Sequence, residues 1–188
     1  TNSVKGFYNK YPGIHIATGK TLTIKGDGSL TASSNGYACG IGCGYEGINA
    51  GNIVIEGGTI TATGGYGCAG IGGGIHGSSC GDITITGGYI DATGGYYNTG
   101  AGAAGIGSGN YGSSCGNITI TGGIITATGG NNNSAGIGCG SNGSCGDITI
   151  TDGVTSVTAR KGNGAPNSIG ASSTGSCGTV TIGGIVTG

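Results

Sequence analysis

The stretch Cys80-Gly-Asp-Ile-Thr-Ile-Thr-Gly-Gly decides how this chain folds, because it returns as Cys115-Gly-Asn-Ile-Thr-Ile-Thr-Gly-Gly and as Cys145-Gly-Asp-Ile-Thr-Ile-Thr. A second apolar-alternating segment follows each copy, and then a glycine-flanked isoleucine. Self-similarity at a period of about 30 residues marks a solenoid, a propeller or an array. Working outward from these copies gives five full units, 19–50, 51–80, 81–115, 116–145 and 146–177, and a partial sixth, 178–188. Residues 1–18 read as an N-terminal cap or as a lead-in to the first coil.

Each unit carries two segments of period-2 alternation, the pattern of strands. In the first, Ile83 and Ile85 alternate with Asp82, Thr84 and Thr86; in the second, Ile60 and Ala62 alternate with Thr59, Thr61 and Thr63. A third segment centres on Ile41, Ile71, Ile106, Ile137 and Ile169. Gly-Gly pairs such as 57–58, 87–88 and 122–123 fall at the corners between them, where the chain must turn sharply. One such unit cannot bury its own apolar edge, so neighbouring coils must supply the core. The expected fold is all-β: a right-handed parallel β-helix (β-solenoid) with about 30 residues and three short strands per coil. A propeller blade needs about 40–45 residues and four strands. A polyproline-II bundle would not need the isoleucine alternation. The two length variations, Tyr96–Gly102 and Lys161–Pro166, both fall between the second and third strands. Insertions in solenoids gather on one face in this way.

Composition agrees with an ordered, weakly charged repeat. Glycine supplies 51 of 188 residues beside two prolines, and charged residues are 7%. A net charge of −1 gives no general attraction to nucleic acid, and no apolar run is long enough for membrane insertion. The chain has no initiator Met and no signal peptide, and it reads as a mature protein or an excised segment. Lys5, Lys10, Lys20 and Lys25 all precede the first acid, Asp27, so the N-terminal end is basic.

The units Gly-Asp-Ile-Thr-Ile-Thr-Gly-Gly, Thr-Ile-Thr-Ala-Thr-Gly-Gly and Ala-Gly-Ile-Gly-x-Gly resemble repeats of large secreted or surface-anchored bacterial proteins, described as β-helical, adhesin-like or carbohydrate-binding. The resemblance spans residues 19–188. It implies a fold more than an activity, because such repeats serve many functions. The outward Thr-x-Thr ranks are similar to those of ice-binding β-solenoids in surface pattern alone.

Several residue sets are candidates for function. Outward threonines on strand one (Thr84, Thr86, Thr119, Thr121, Thr149, Thr151) and strand two (Thr61, Thr63, Thr126, Thr128) would form a grid of methyls and hydroxyls. Their spacings, about 6.7 Å along a strand and 4.8 Å between coils, suit ordered water or a crystalline surface. Threonine is also simply a good exposed strand residue, and Lys25, Glu56, Asp91 and Arg160 interrupt the grid. Tyr37, Tyr66, Tyr96 and Tyr97 precede strand three, and Tyr45 and Tyr111 follow it. Tyrosines on one loop face stack on sugar rings or on each other.

Cys80, Cys115, Cys145 and Cys177 share a column with Ala50. A position shared with alanine reads as small and inward-facing, so these thiols are expected reduced and buried, with disulfides between coils as the alternative. Asn52, Asp82, Asn117 and Asp147 form another column. Stacked hydrogen-bonding side chains are the expected arrangement there, with calcium the less favoured one. Glu46 and His76 fall in one column of adjacent coils and are the only acid–histidine pair that alignment suggests. An exposed turn pair is the expected outcome. No carboxylate pair, zinc spacing or nucleophile motif points to catalysis, and no cofactor or metal is expected.

The sequence therefore predicts a non-enzymatic, extracellular or cell-surface structural or adhesive solenoid, able to self-associate end to end into filaments. A surface-binding module for ice or glycans, or the non-catalytic part of a polysaccharide-active enzyme, are the alternatives.

Overall fold

The computed structural model describes residues 2–97 and 100–183, together with the backbone of 186–187. Asn98 and Thr99 of the Tyr96–Gly102 insertion lie outside the described residues, as do Gly184, Ile185 and Gly188 of the partial last coil. The described residues contain strands and turns and no helix, so none can cross a membrane as a helix.

Three parallel sheets run the length of the molecule. Strand one of each coil builds a six-stranded sheet: Thr21–Ile24, Asn52–Ile55, Ile83–Ile85, Ile118–Ile120, Ile148–Ile150 and Val180–Ile182. Strand two builds a seven-stranded sheet: Asn2–Lys5, Ser29–Ser33, Thr59–Thr63, Tyr89–Thr93, Ile124–Thr128, Ser156–Arg160 and Val186–Thr187. Strand three builds the third, of two-residue strands from Ile14–His15 to Ile169–Gly170. This is the stacked-coil β-solenoid that the repeat predicts. A fourth strand, which the alternation pattern does not show, appears in the later coils as Ser114–Cys115, Ser144–Cys145 and Ser176–Cys177. Two residues are too few to display a period, which is why the sequence reading finds three strands and not four.

Register follows the repeat residue for residue. Ile83, Ile118 and Ile148 stack on one another, as do Ile85, Ile120 and Ile150. In the second sheet Ile60, Ile90, Ile125 and Val157 stack above Leu30, beside the alanine column Ala32, Ala62, Ala92, Ala127 and Ala159. All these side chains except Leu30 are essentially inaccessible and form one continuous core. A one-residue slip would turn this entire set to solvent.

The first residues already run as part of a coil. Asn2–Lys5 pairs with Leu30–Ser33, and Ile14 pairs with Ile41. Phe7 and Tyr8 pack edge to face at 4.4 Å, yet both stay about three-quarters exposed.

Two glycine columns are sterically required. Gly42, Gly72, Gly107, Gly138 and Gly170, each closing strand three, hold φ between 120° and 134°. A Cβ on any of the first four would run into the glycine carbonyl of the next coil, so no other residue fits. The second column precedes each Asn or Asp. A Cβ on Gly81, Gly116, Gly146 or Gly178 would overlap the side-chain Oδ1 of Asn52, Asp82, Asn117 or Asp147 in the coil before.

Candidate functional site

That second column explains the diagnostic Cys-Gly-Asp/Asn sequence. Each Oδ1 accepts the backbone N–H of the equivalent residue one coil on: Asn52 from Asp82 at 3.0 Å, Asp82 from Asn117 at 2.8 Å, Asn117 from Asp147 at 2.9 Å, and Asp147 from Thr179 at 2.7 Å. The ladder runs from side chain to backbone and not from side chain to side chain. Each Oδ1 in it is engaged by an amide proton. Among the described residues, no group of three or more His, Cys, Asp or Glu side chains is placed to hold a metal ion.

The threonine ranks lie in register. Thr84, Thr119 and Thr149 form one rank, with Thr181 following Thr149. Thr86, Thr121 and Thr151 follow at the strand ends, where each amide bonds back to the preceding coil. On strand two, Thr61 and Thr126 flank Asp91, while Thr63, Thr93 and Thr128 lead to Arg160. Strand two is five residues long and has a third outward rank: Ser29, Thr59, Tyr89, Ile124 and Ser156. Tyr89 and Ile124 stand exposed in it. They rise beside the threonines, so the strand-two face is uneven, whereas the strand-one threonines of the third to fifth coils are uninterrupted.

The tyrosines differ from the sequence reading. Grouped by loop, they form two sets; in the fold all but Tyr96 join in one cluster. Tyr37 meets Tyr45 at 5.3 Å, Tyr66 at 5.5 Å and Tyr97 at 6.1 Å, and Tyr97 meets Tyr111 edge-on at 5.9 Å. Tyr37, Tyr45, Tyr97 and Tyr111 are half-buried against the core. They cover the corner of the coils, so these four of the six candidate glycan contacts are packing residues. Tyr66 and Tyr96 remain 45% and 51% exposed. Between them lies a cavity of about 380 Å³ with Ser34 and Asn35 on one side and Gly64, Gly65 and Gly95 in its lining. Gly65 and Gly95 are required in this lining by the close approach of the coils, because a Cβ on either would strike the backbone of the coil before.

Glu46 and His76 share a column but do not form a pair, which corrects the contact that alignment suggests. His76 stacks on Tyr111 at 5.2 Å and 8°, and meets Tyr45 edge-on at 5.5 Å. The neighbouring Glu46 carboxylate raises the Tyr45 pKa above its ordinary value. Both residues are exposed, and both hold positive φ, as do Tyr111 and Asn142 in the same column. The tight turn they occupy aims their side chains outward and along the axis.

All eight cysteines are free thiols, seven buried and Cys177 half-buried. Burial, with the nearby Cys68 and Cys43 sulfurs, pushes the Cys39 thiol well up, and burial does the same to Cys68. Two contacts cross between columns and are invisible to alignment. Cys80 has the Cys43 thiol as its neighbour, which pushes Cys80 up and Cys43 down, while Cys80 Sγ donates to the Gly51 carbonyl at 3.7 Å. Cys139 Sγ lies 3.2 Å from Cys145 Sγ.

Comparison with curated proteins and with solved structures found no match to this chain. A family model described as a beta helix repeat matches residues 22–45, 53–75, 83–110 and 118–141. Each matched segment begins on the first inward residue of strand one and runs through strands two and three, so the model follows the coil itself. The matches cover more than half of the sequence, and the chain belongs to the beta helix repeat family.

Proposed function

We propose that this protein is a non-catalytic adhesive solenoid whose loop face binds an extended carbohydrate at or outside the cell surface. The observation that carries the reading is the Tyr66–Tyr96 cavity. Two exposed phenol rings flank it, the half-buried cluster of Tyr37, Tyr45, Tyr97 and Tyr111 backs them, and Asn35 and Ser34 supply polar partners beside an open glycine floor. An apolar ring face beside hydrogen-bonding groups is the chemistry that takes a pyranose. Repetition along the axis suits a polymer better than a single sugar.

Retention of the protein on insoluble cellulose and chitin, and its retardation in gels containing xylan, test this. Wild type is expected to bind at least one of the three. Tyr66→Ala and Tyr96→Ala are each expected to weaken binding about tenfold, the ~1.4 kcal/mol of one stacked ring. Binding by none of the polymers, or a double variant that binds as wild type does, overturns the reading.

Self-association is the second reading, favoured by the sheet edges. The terminal strands Asn2–Lys5, Ile14–His15 and Thr21–Ile24 occupy the same three sheets as Val186–Thr187, Ile169–Gly170 and Val180–Ile182 at the other end. Val180 and Ile182 are exposed there. Unpaired parallel edges of this kind accept a further coil, whether from the same chain or from a second copy.

A further inference from the structure

The Cys139–Cys145 contact differs in kind from the stacked cysteine column. Cys115, Cys145 and Cys177 are in register on parallel strands. Their Cα–Cβ bonds run side by side, which is poor geometry for a covalent link. Cys139 and Cys145 lie in one coil, six residues apart. Cys139 directly follows strand Ile137–Gly138, and Cys145 ends strand Ser144–Cys145, so their sulfurs approach from two different walls of the coil. Both side chains are buried, and the sulfurs are 3.2 Å apart. A disulfide is about 2.05 Å long, so closure needs about 1 Å of movement, which side-chain rotation supplies. The intervening turn holds Gly140 and Gly143, joined by a 3.0 Å backbone hydrogen bond, so the chain already reverses there.

We propose that Cys139 and Cys145 are a disulfide-forming site, oxidised by exchange with a low-molecular-weight disulfide. One protein thiolate attacks the small disulfide, forms a mixed disulfide and releases one small thiol. The second protein thiolate attacks the protein sulfur of that mixed disulfide, forms the Cys139–Cys145 bond and releases the second small thiol. The two protein thiols lose two protons and two electrons, and the small disulfide gains them. Their mutual hydrogen bond and burial push the Cys139 thiol up, and contact with Cys115 and burial push Cys145 up. The closed coil therefore holds both as thiols, and exchange runs while the coil is still folding. The inference is independent of the ligand that the tyrosine face takes.

The full chain, unfolded and reduced, is refolded in a buffer of oxidised and reduced glutathione. It is then quenched with acid, alkylated in denaturant and mapped by mass spectrometry. The expected result is a peptide carrying a Cys139–Cys145 bond, about 2 Da lighter than its reduced form. In Cys139→Ala the bond is lost and Cys145 is alkylated; Ala171 occupies that position in the next coil, so the substitution has a local precedent. Should that variant fail to refold, Cys145→Ala serves equally, and the wild-type map stands without either. Recovery of both cysteines alkylated, or of either one bonded to any other cysteine, overturns the proposal.

Discussion

Gly146→Ala and Asn117→Ala together test whether the Cys-Gly-Asp/Asn sequence is a steric device. Asn117 Oδ1 accepts the Asp147 N–H at 2.9 Å and occupies the space where a Cβ on Gly146 would go. The remaining neighbours of that Cβ, Asn117 N and Gly116 C, lie at 3.1 Å, tight but tolerable with a small shift. Asn117 is exposed, so water replaces part of the lost bond, and Asn117→Ala is expected to cost about 1 kcal/mol. Gly146→Ala must expel the carboxamide, losing that bond, and must also strain the backbone. Against this it gains about 0.4–1 kcal/mol from a stiffer unfolded chain. A net cost of about 2 kcal/mol follows, from the lost bond and the packing strain. In the double variant the carboxamide is already gone, so the total should fall short of the sum by about 1 kcal/mol. Guanidinium unfolding followed by both circular dichroism and tyrosine fluorescence measures it, and the two probes must coincide for the cycle to hold. Additivity within about 0.5 kcal/mol would refute the argument that Oδ1 is what excludes a side chain from this column.

The thiols supply a further prediction. Burial disfavours the thiolate of Cys39 and Cys68, so iodoacetamide at pH 8 should leave both unlabelled in the folded protein while half-buried Cys177 reacts first; mass mapping with and without denaturant reads this directly. If the terminal sheet edges recruit a second copy, sedimentation velocity should show mass growing with concentration, and Ile182→Lys should reverse it. A monomer at every concentration removes that reading.

Much of the architecture was legible in the residues alone, for a physical reason. Parallel coils in register place residue i of one coil against its equivalent in the next, so an alignment of repeats is already a list of contacts along the axis. Ile83 above Ile53, Thr119 above Thr84 and Cys145 above Cys115 are all of this kind. What alignment cannot show is which columns lie beside each other, because that depends on how each coil bends in cross-section. The Cys139–Cys145 approach, the union of Tyr37 with Tyr45 and Tyr97, and the turning of His76 onto Tyr111 are contacts between columns or outcomes of turn geometry. So too is the reason for Gly146: its neighbour is a side-chain oxygen that leans across from the coil before. The sequence by itself determined the stack and its register; only the tertiary structure decided which neighbouring columns meet, because the repeated glycines and positive-φ turns mark where each corner falls and not the angle through which the chain bends there.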